Sequence, residues 1–260
     1  MGKTMGWGSW GERIDRAVDP NTSTTELLKL ADDEDAEVRM MVAENPETPD
    51  FILATLVDDE AADVRYGVAD NPNTPADTLV ALANDEDEVV RCAVADNPST
   101  PVHILGDLLT ALAASDDAEV RSCPAGNPHA PAGVVLGLAF DASDDVRKAA
   151  ESHPALSSEA LVELAADSDF VVRCRVAAFE RTPAKVVERL AGDPVAAVRA
   201  WAATNKHISI EALTHLAGDR DLAVQRSLAD NPRTPPEALK ELLRTAQGEA
   251  WQEASLRLRA

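Results

Sequence analysis

The side chains in this sequence best suited to chemistry are arginines and carboxylates, and they recur in register. Arginine follows valine at Arg39, Arg65, Arg91, Arg121, Arg147, Arg173 and Arg199, with Gln225 in the next place, at steps of 26 residues and one of 30 after Arg91. Aspartate stands six residues earlier at Asp33, Asp59, Asp85, Asp141, Asp167 and Asp193. A planar guanidinium suits two-pronged contact with a carboxylate. The spacing therefore predicts a structural ladder, each Arg pairing with an Asp of its own or the adjacent turn, rather than a basic stripe awaiting a ligand. A second marker keeps the same step, with Asn-Pro at Asn45, Asn71, Asn97, Asn127 and Asn231 and degenerate forms at His153, Phe179 and Asn205. These read as buried turn residues that satisfy backbone groups.

Other reactive side chains do not assemble into a motif. The acidic runs Asp32 to Asp35, Asp58 to Glu60, Asp85 to Glu88 and Asp116 to Asp117 lack the central Gly and distal Glu of an EF-hand, so they read as helix caps rather than metal loops. The histidines at 103, 129, 153, 207 and 215 have no metal-ligand spacing, and no Ser or Cys nucleophile has a base beside it. Cys92, Cys123 and Cys174 are too scattered for a disulfide framework or a paired metal motif. Cys92 and Cys174 share a repeat column three units apart, and Cys123 occupies the neighbouring column. All three are expected to be partly buried thiols. No catalytic, cofactor or metal site is expected, and the chain reads as non-enzymatic.

The elements that carry these columns follow from the rest of the unit. It runs Asn-Pro-x-Thr-Pro, then paired leucines such as Leu27 and Leu30 or Leu79 and Leu82, an acidic turn, and valines four apart such as Val38 and Val42. Leucines three apart and valines four apart each make one apolar helical face. Thr48, Thr74, Thr100, Thr182 and Thr234 are expected as N-caps, with the following prolines at the first helical position and Glu237 completing a capping box. Neither short helix could bury its face alone, so the units must stack. Residues 19–230 make eight units, with four extra residues in 97–126 that lengthen a first helix by about one turn. Residues 1–18 are an amino-terminal cap or flexible segment in which Trp7 and Trp10 shield the first unit, and residues 231–260 are a half repeat and capping helix with Trp251.

This pattern resembles the leucine-rich repeat variant family over about residues 19–245, and its Asp and Arg six apart also resemble HEAT-type repeats. The resemblance implies an all-α, right-handed superhelical solenoid of about eight 26-residue two-helix units, one helix short α or three-ten, with no sheet. The clustered cysteines that bind an iron–sulfur cluster in some family members are not matched, since the first Cys is Cys92.

Composition narrows the partners. The 260 residues carry a net charge of −22 with 3% aromatics, so nucleic acid and anionic membranes are disfavoured. Residues 1–119 hold 7 basic and 27 acidic side chains, and residues 120–260 hold 17 and 19. A partner of the first half should therefore be basic. The column after each Val-Arg pair varies freely: Met40, Tyr66, Cys92, Ser122, Lys148, Cys174, Ala200 and Arg226, with Arg175 and Trp201 one place further. By resemblance the second helices line a concave surface, and Met40, Tyr66, Cys92, Ser122, Lys148, Cys174, Arg175, Trp201 and Arg226 are its candidate partner-binding residues. The expected function is a cytoplasmic scaffold for a protein or peptide. A DNA mimic and a HEAT-like nucleic-acid enzyme are the alternatives.

Overall fold

In the computed structural model, which describes residues 8–246 and 248–259, every regular element is a helix among the described residues. The chain divides into two compact units, one ending at Val134 and the other starting at Val135. The first contains α1 (Trp10–Val18), α2 (Thr24–Leu30), α3 (Ala36–Glu44), α4 (Asp50–Leu53), α5 (Ala62–Asp70), α6 (Ala76–Leu82), α7 (Glu88–Asp96), α8 (Val102–Leu112) and α9 (Ala118–Gly126). Helix α10 (Ala132–Leu138) spans the division. The second contains α11 (Asp144–Glu151), α12 (Ser158–Leu164), α13 (Phe170–Ala178), α14 (Ala184–Leu190), α15 (Ala196–Thr204), α16 (Ile210–Leu216), α17 (Leu222–Asp230), α18 (Pro236–Thr245) and α19 (Gly248–Arg257). This is an all-α fold of stacked helix pairs. No described helix is long and apolar enough to cross a membrane.

Each pair buries the stripes that its spacing dictates. Leu27 and Leu30, Ile52 and Leu53, and Leu79 and Leu82 are buried on the first helices, and Val38 and Val42, Val64 and Val68, and Val90 and Val94 on the second. The odd-numbered helices pack side by side: α1, α3, α5, α7 and α9 in the first unit, and α13, α15, α17 and α19 in the second. At Gly67 the helices pack closely. A Cβ there would lie 3.0 Å from the Ala43 Cβ, so glycine lets α5 approach α3. The four extra residues lengthen α8 to 11 residues against 7 in α6, and Leu105, Leu108, Leu109 and Leu112 remain buried.

The threonines do not cap the helices that follow them. Pro49, Pro75, Pro101, Pro183 and Pro235 hold the N-cap positions, with no side-chain cap. Thr48 instead donates its hydroxyl back to Val42 O at 2.6 Å, as Thr74 does to Val68 O, Thr100 to Val94 O, Thr182 to Val176 O and Thr234 to Leu228 O. The Asn-Pro turn breaks the preceding helix and buries its last carbonyls, and an unpaired buried carbonyl costs more than an open N-terminus in water. The hydroxyl therefore serves the helix behind it, and the proposed Thr234–Glu237 capping box does not form. Side-chain capping lies in the acidic turns, where Asp35, Asp87, Asp117, Asp169 and Asp221 accept from the first turn of the next helix, and at Ser9, Ser157 and Ser209, which cap α1, α12 and α16. Trp7 lies outside the described residues. Trp10 is 47% exposed and Trp251 44%, so neither acts as a buried shield.

Candidate functional site

Two hydrogen-bonded ladders tie successive pairs together and determine which polar side chains remain available. In the first, Arg39 Nε and Nη2 donate to the Asp59 carboxylate at 2.6 and 2.8 Å, and Nη1 donates to Asp33 O at 2.8 Å. Arg65 repeats this with Asp85 and Asp59 O, Arg173 with Asp193 and Asp167 O, and Arg199 with Asp219 and Asp193 O. Each Arg thus takes the carboxylate of the next unit and only the backbone carbonyl of its own. Two rungs fall outside the sequence reading. Arg13 pairs with Asp33 at 3.0 Å, so α1 stands where a second helix would stand, and Arg199 pairs with Asp219 at 2.7 Å. The step of 26 from Arg39 back to Arg13, and from Asp193 on to Asp219, was the signal for both.

At Arg91 the ladder changes partner. The enlarged unit has Ser115 in the Asp column; its Oγ accepts from Asp117 N and donates to Glu88, and Arg91 turns to Glu88 at 3.1 Å. Arg121 donates to Ser115 O and Asp116 O. Arg147 donates to Asp141 O at 2.5 Å and pairs with Asp144 of its own helix.

The second ladder belongs to asparagine. Asn71 Nδ2 donates to Ala43 O at 2.6 Å and Asn45 O at 2.9 Å, and its Oδ1 accepts from Asn73 N at 2.9 Å. Asn45, Asn97 and Asn205 make the same three contacts. Asn231 donates to Ala203 O and accepts from Arg233 N. His153 is buried in this column, its Nδ1 accepting from Ala155 N. The chain ends keep half of the motif each. Asp19, first in the column, accepts from Asn21 N, and Arg257, last in it, donates to Ala229 O and Asn231 O, both at 2.6 Å.

The ladder carboxylates respond to these contacts. Burial alone would raise Asp59, Asp85, Asp193 and Asp219, but hydrogen bonds from Arg39, Arg65, Arg173 and Arg199 and from backbone N–H groups outweigh it, and all four titrate below the usual range. A carboxylate with a depressed folded pKa contributes stability that is full above its unfolded value, about 3.9, and fades as pH falls through the folded value. Urea midpoints should therefore hold between pH 6 and 5 and fall steeply below about pH 4, more shallowly in Arg65→Met, where one such carboxylate has lost its guanidinium.

The candidate partner-binding column is not uniform. In the first unit Met40 and Cys92 are half-buried, Tyr66 is 36% exposed, and exposed Ser122 donates its hydroxyl to Glu119 O. In the second unit Cys174 and Arg175 are half-buried, with the Arg175 guanidinium in the space beside Gly137; Lys148 is exposed near Asp145, and Arg226 pairs with Glu249 at 3.0 Å. Trp201 is 50% exposed, whereas Ala200 is buried. The sequence reading missed the residues beside Tyr66. Glu44, Asp70 and Asp96 end α3, α5 and α7 in one repeat column, 26 residues apart. Burial first, then Asp70, raises both Glu44 and Asp96, although Asn127 and Cys123 hydrogen bonds partly offset the rise at Asp96. Burial, then the charges of Asp70, Glu44 and Asp96, raises the Tyr66 hydroxyl. These carboxylates crowd one another around Tyr66, while the ladder carboxylates are neutralised by arginine.

All three cysteines are half-buried free thiols, as expected. Cys92 and Cys123 are neighbours across α7 and α9, with Cys123 Sγ 4.0 Å from Cys92 O, because the column after Val-Arg in one unit meets the following column of the next.

The family model for the leucine-rich repeat variant matches residues 62–87, which span α5, the asparagine turn, α6 and the acidic turn. The two ladders repeat this unit's contacts in phase on either side of it. Residues 62–87 thus form one leucine-rich repeat variant unit. The chain is similar to a solved structure described as a leucine-rich repeat variant with a novel repetitive structural motif, at 28% identity over 86% of this chain and 87% of that one, with a TM-score of 0.45. It is also similar to a designed armadillo repeat protein in complex with the peptide (KR)4, at 15% identity over 97% and 99% with a TM-score of 0.21. A third is a computationally designed armadillo repeat protein for modular peptide recognition, at 16% identity over 96% and 99% with a TM-score of 0.21. No curated protein matches.

Proposed function

We propose that this chain is a non-enzymatic scaffold that binds an extended basic segment of another protein along α3, α5 and α7. The observation that carries the reading is the row Glu44, Asp70 and Asp96 around exposed Tyr66. Asp70 raises the proton affinity of both Glu44 and Asp96 there, and a cation laid between them relieves that repulsion. The charge balance agrees. Residues 1–134 hold 8 basic and 27 acidic side chains, and residues 135–260 hold 16 and 19.

The geometry suggests a register. Packed helices lie about 8–10 Å apart, and an extended peptide advances about 3.3 Å per residue. Lys or Arg at every third residue would meet successive carboxylates, with Tyr66 offering its ring face to one of them. Fluorescence anisotropy with labelled peptides tests this. A peptide with Arg at every third position should bind, weaken as salt rises, and lose about 3- to 5-fold affinity to Asp70→Asn, the range of one exposed ion pair. Equal binding of a peptide with the same arginines clustered at one end would overturn the register, and equal binding of an acidic peptide would overturn the reading.

A further inference from the structure

The thiols of Cys92 and Cys123 lie on neighbouring second helices, and neither belongs to a ladder. Pro124, inside α9, supplies no N–H to Val120 O, the carbonyl four residues back. Cys92 Sγ lies 3.9 Å from that orphaned carbonyl and donates to it. Cys123 Sγ lies 4.0 Å from Cys92 O and 3.9 Å from Asp96 Oδ1, so the two side chains are neighbours across α7 and α9. The pair therefore sits where α9 already lacks one helical hydrogen bond and can shift locally. Both thiols are half-buried, which leaves access for a small reagent.

We propose that Cys92 and Cys123 are a redox pair that closes to a disulfide across adjacent repeats when met by a low-molecular-weight disulfide such as oxidised glutathione. The Cys92 thiolate attacks one sulfur of the reagent, forming a mixed disulfide and releasing one thiolate. Cys123 then gives its proton to Asp96 and attacks the Cys92 sulfur, expelling the second thiolate. Two protein thiols are oxidised by two electrons and one reagent disulfide is reduced to two thiols. The order of attack follows the environments. The Asp96 carboxylate lies 3.9 Å from Cys123 Sγ and disfavours a second negative charge there, so Cys92 supplies the first thiolate. Asp96, whose own proton affinity is raised by burial, is placed to receive the second proton. Nothing in this chemistry depends on the peptide-binding reading.

The test is thiol titration and non-reducing peptide mapping of the full chain after exposure to oxidised glutathione. Free thiols should fall from three to one, with a linked peptide pair holding Cys92 and Cys123 in a monomer. Cys174→Ser should leave that link unchanged. Cys123→Ser should stop at glutathione on Cys92, and Asp96→Asn should slow closure about a hundredfold while leaving the first step intact, as loss of a proton acceptor does. In the unaltered chain, stable glutathione on Cys92 beside a free Cys123, or modification of Cys174 alone, would overturn the proposal. Closure at the same rate in Asp96→Asn would remove Asp96 from it.

Discussion

Replacing Asn71 with Leu should lower unfolding free energy by about 4 kcal/mol, the largest effect expected from a single polar substitution in this chain. The side chain is 2% exposed. It closes three hydrogen bonds at once, two to the preceding turn and one to its own. Each bond is worth about 1 kcal/mol net, and each buried carbonyl left without a donor costs about 1–3 kcal/mol. Leucine approximates the volume, so the loss reports polar satisfaction rather than a cavity. Asn71→Asp should be at least as damaging despite its near-identical shape. It keeps an acceptor for Asn73 N but turns an anion toward the Ala43 and Asn45 carbonyls. Asp19 shows the converse: at the start of the column aspartate serves, because its recorded role there is to accept. Equilibrium urea unfolding is the measurement. A loss below about 1 kcal/mol for Asn71→Leu would mean that water replaces the side chain at little cost and that the ladder is not a source of stability.

The second large effect separates two arginines that look identical in sequence. Arg65→Met should cost about 2–4 kcal/mol, because Asp85 is left as a buried carboxylate with backbone partners alone. The Arg65 and Asp85 side chains are only 9% and 6% exposed. Arg91→Met should cost below about 1 kcal/mol, since the next unit offers Ser115 and the substitute partner Glu88 is 39% exposed. Arg65→Met combined with Asp85→Asn should recover part of the loss, because the stranded charge is then gone while the amide oxygen can still accept from Asp87 N. Equal losses at Arg65 and Arg91 would show that methylene packing, not charge pairing, sets the contribution of this column.

These two substitutions mark how far the sequence could be read. The period of 26, the helix pair in each unit and the buried Leu and Val stripes were legible, because apolar spacing determines the face a helix must hide. The lengthened α8 was legible for the same reason. The direction of each polar bond was not. Thr48 was read as a cap for the helix after it and instead serves Val42 O behind it, since a local motif does not say which of two adjacent helix ends is buried. The candidate face was half legible. Tyr66 stood out as a departure from the repeat, but nothing in the sequence singled out Glu44, Asp70 and Asp96 until α3, α5 and α7 were placed side by side.

The sequence by itself determined a repeating all-α chain whose arginines and asparagines are structural and whose first half is strongly acidic. Only the tertiary structure decided which carboxylates are neutralised and which crowd Tyr66, that Cys92 meets Cys123, and that Asp19 and Arg257 finish a ladder as its two halves. The reason is the same in each case. Periodicity specifies the faces within a unit, whereas pairing between units depends on the offset at which neighbouring helices dock, and that offset is a property of packing that no single repeat encodes.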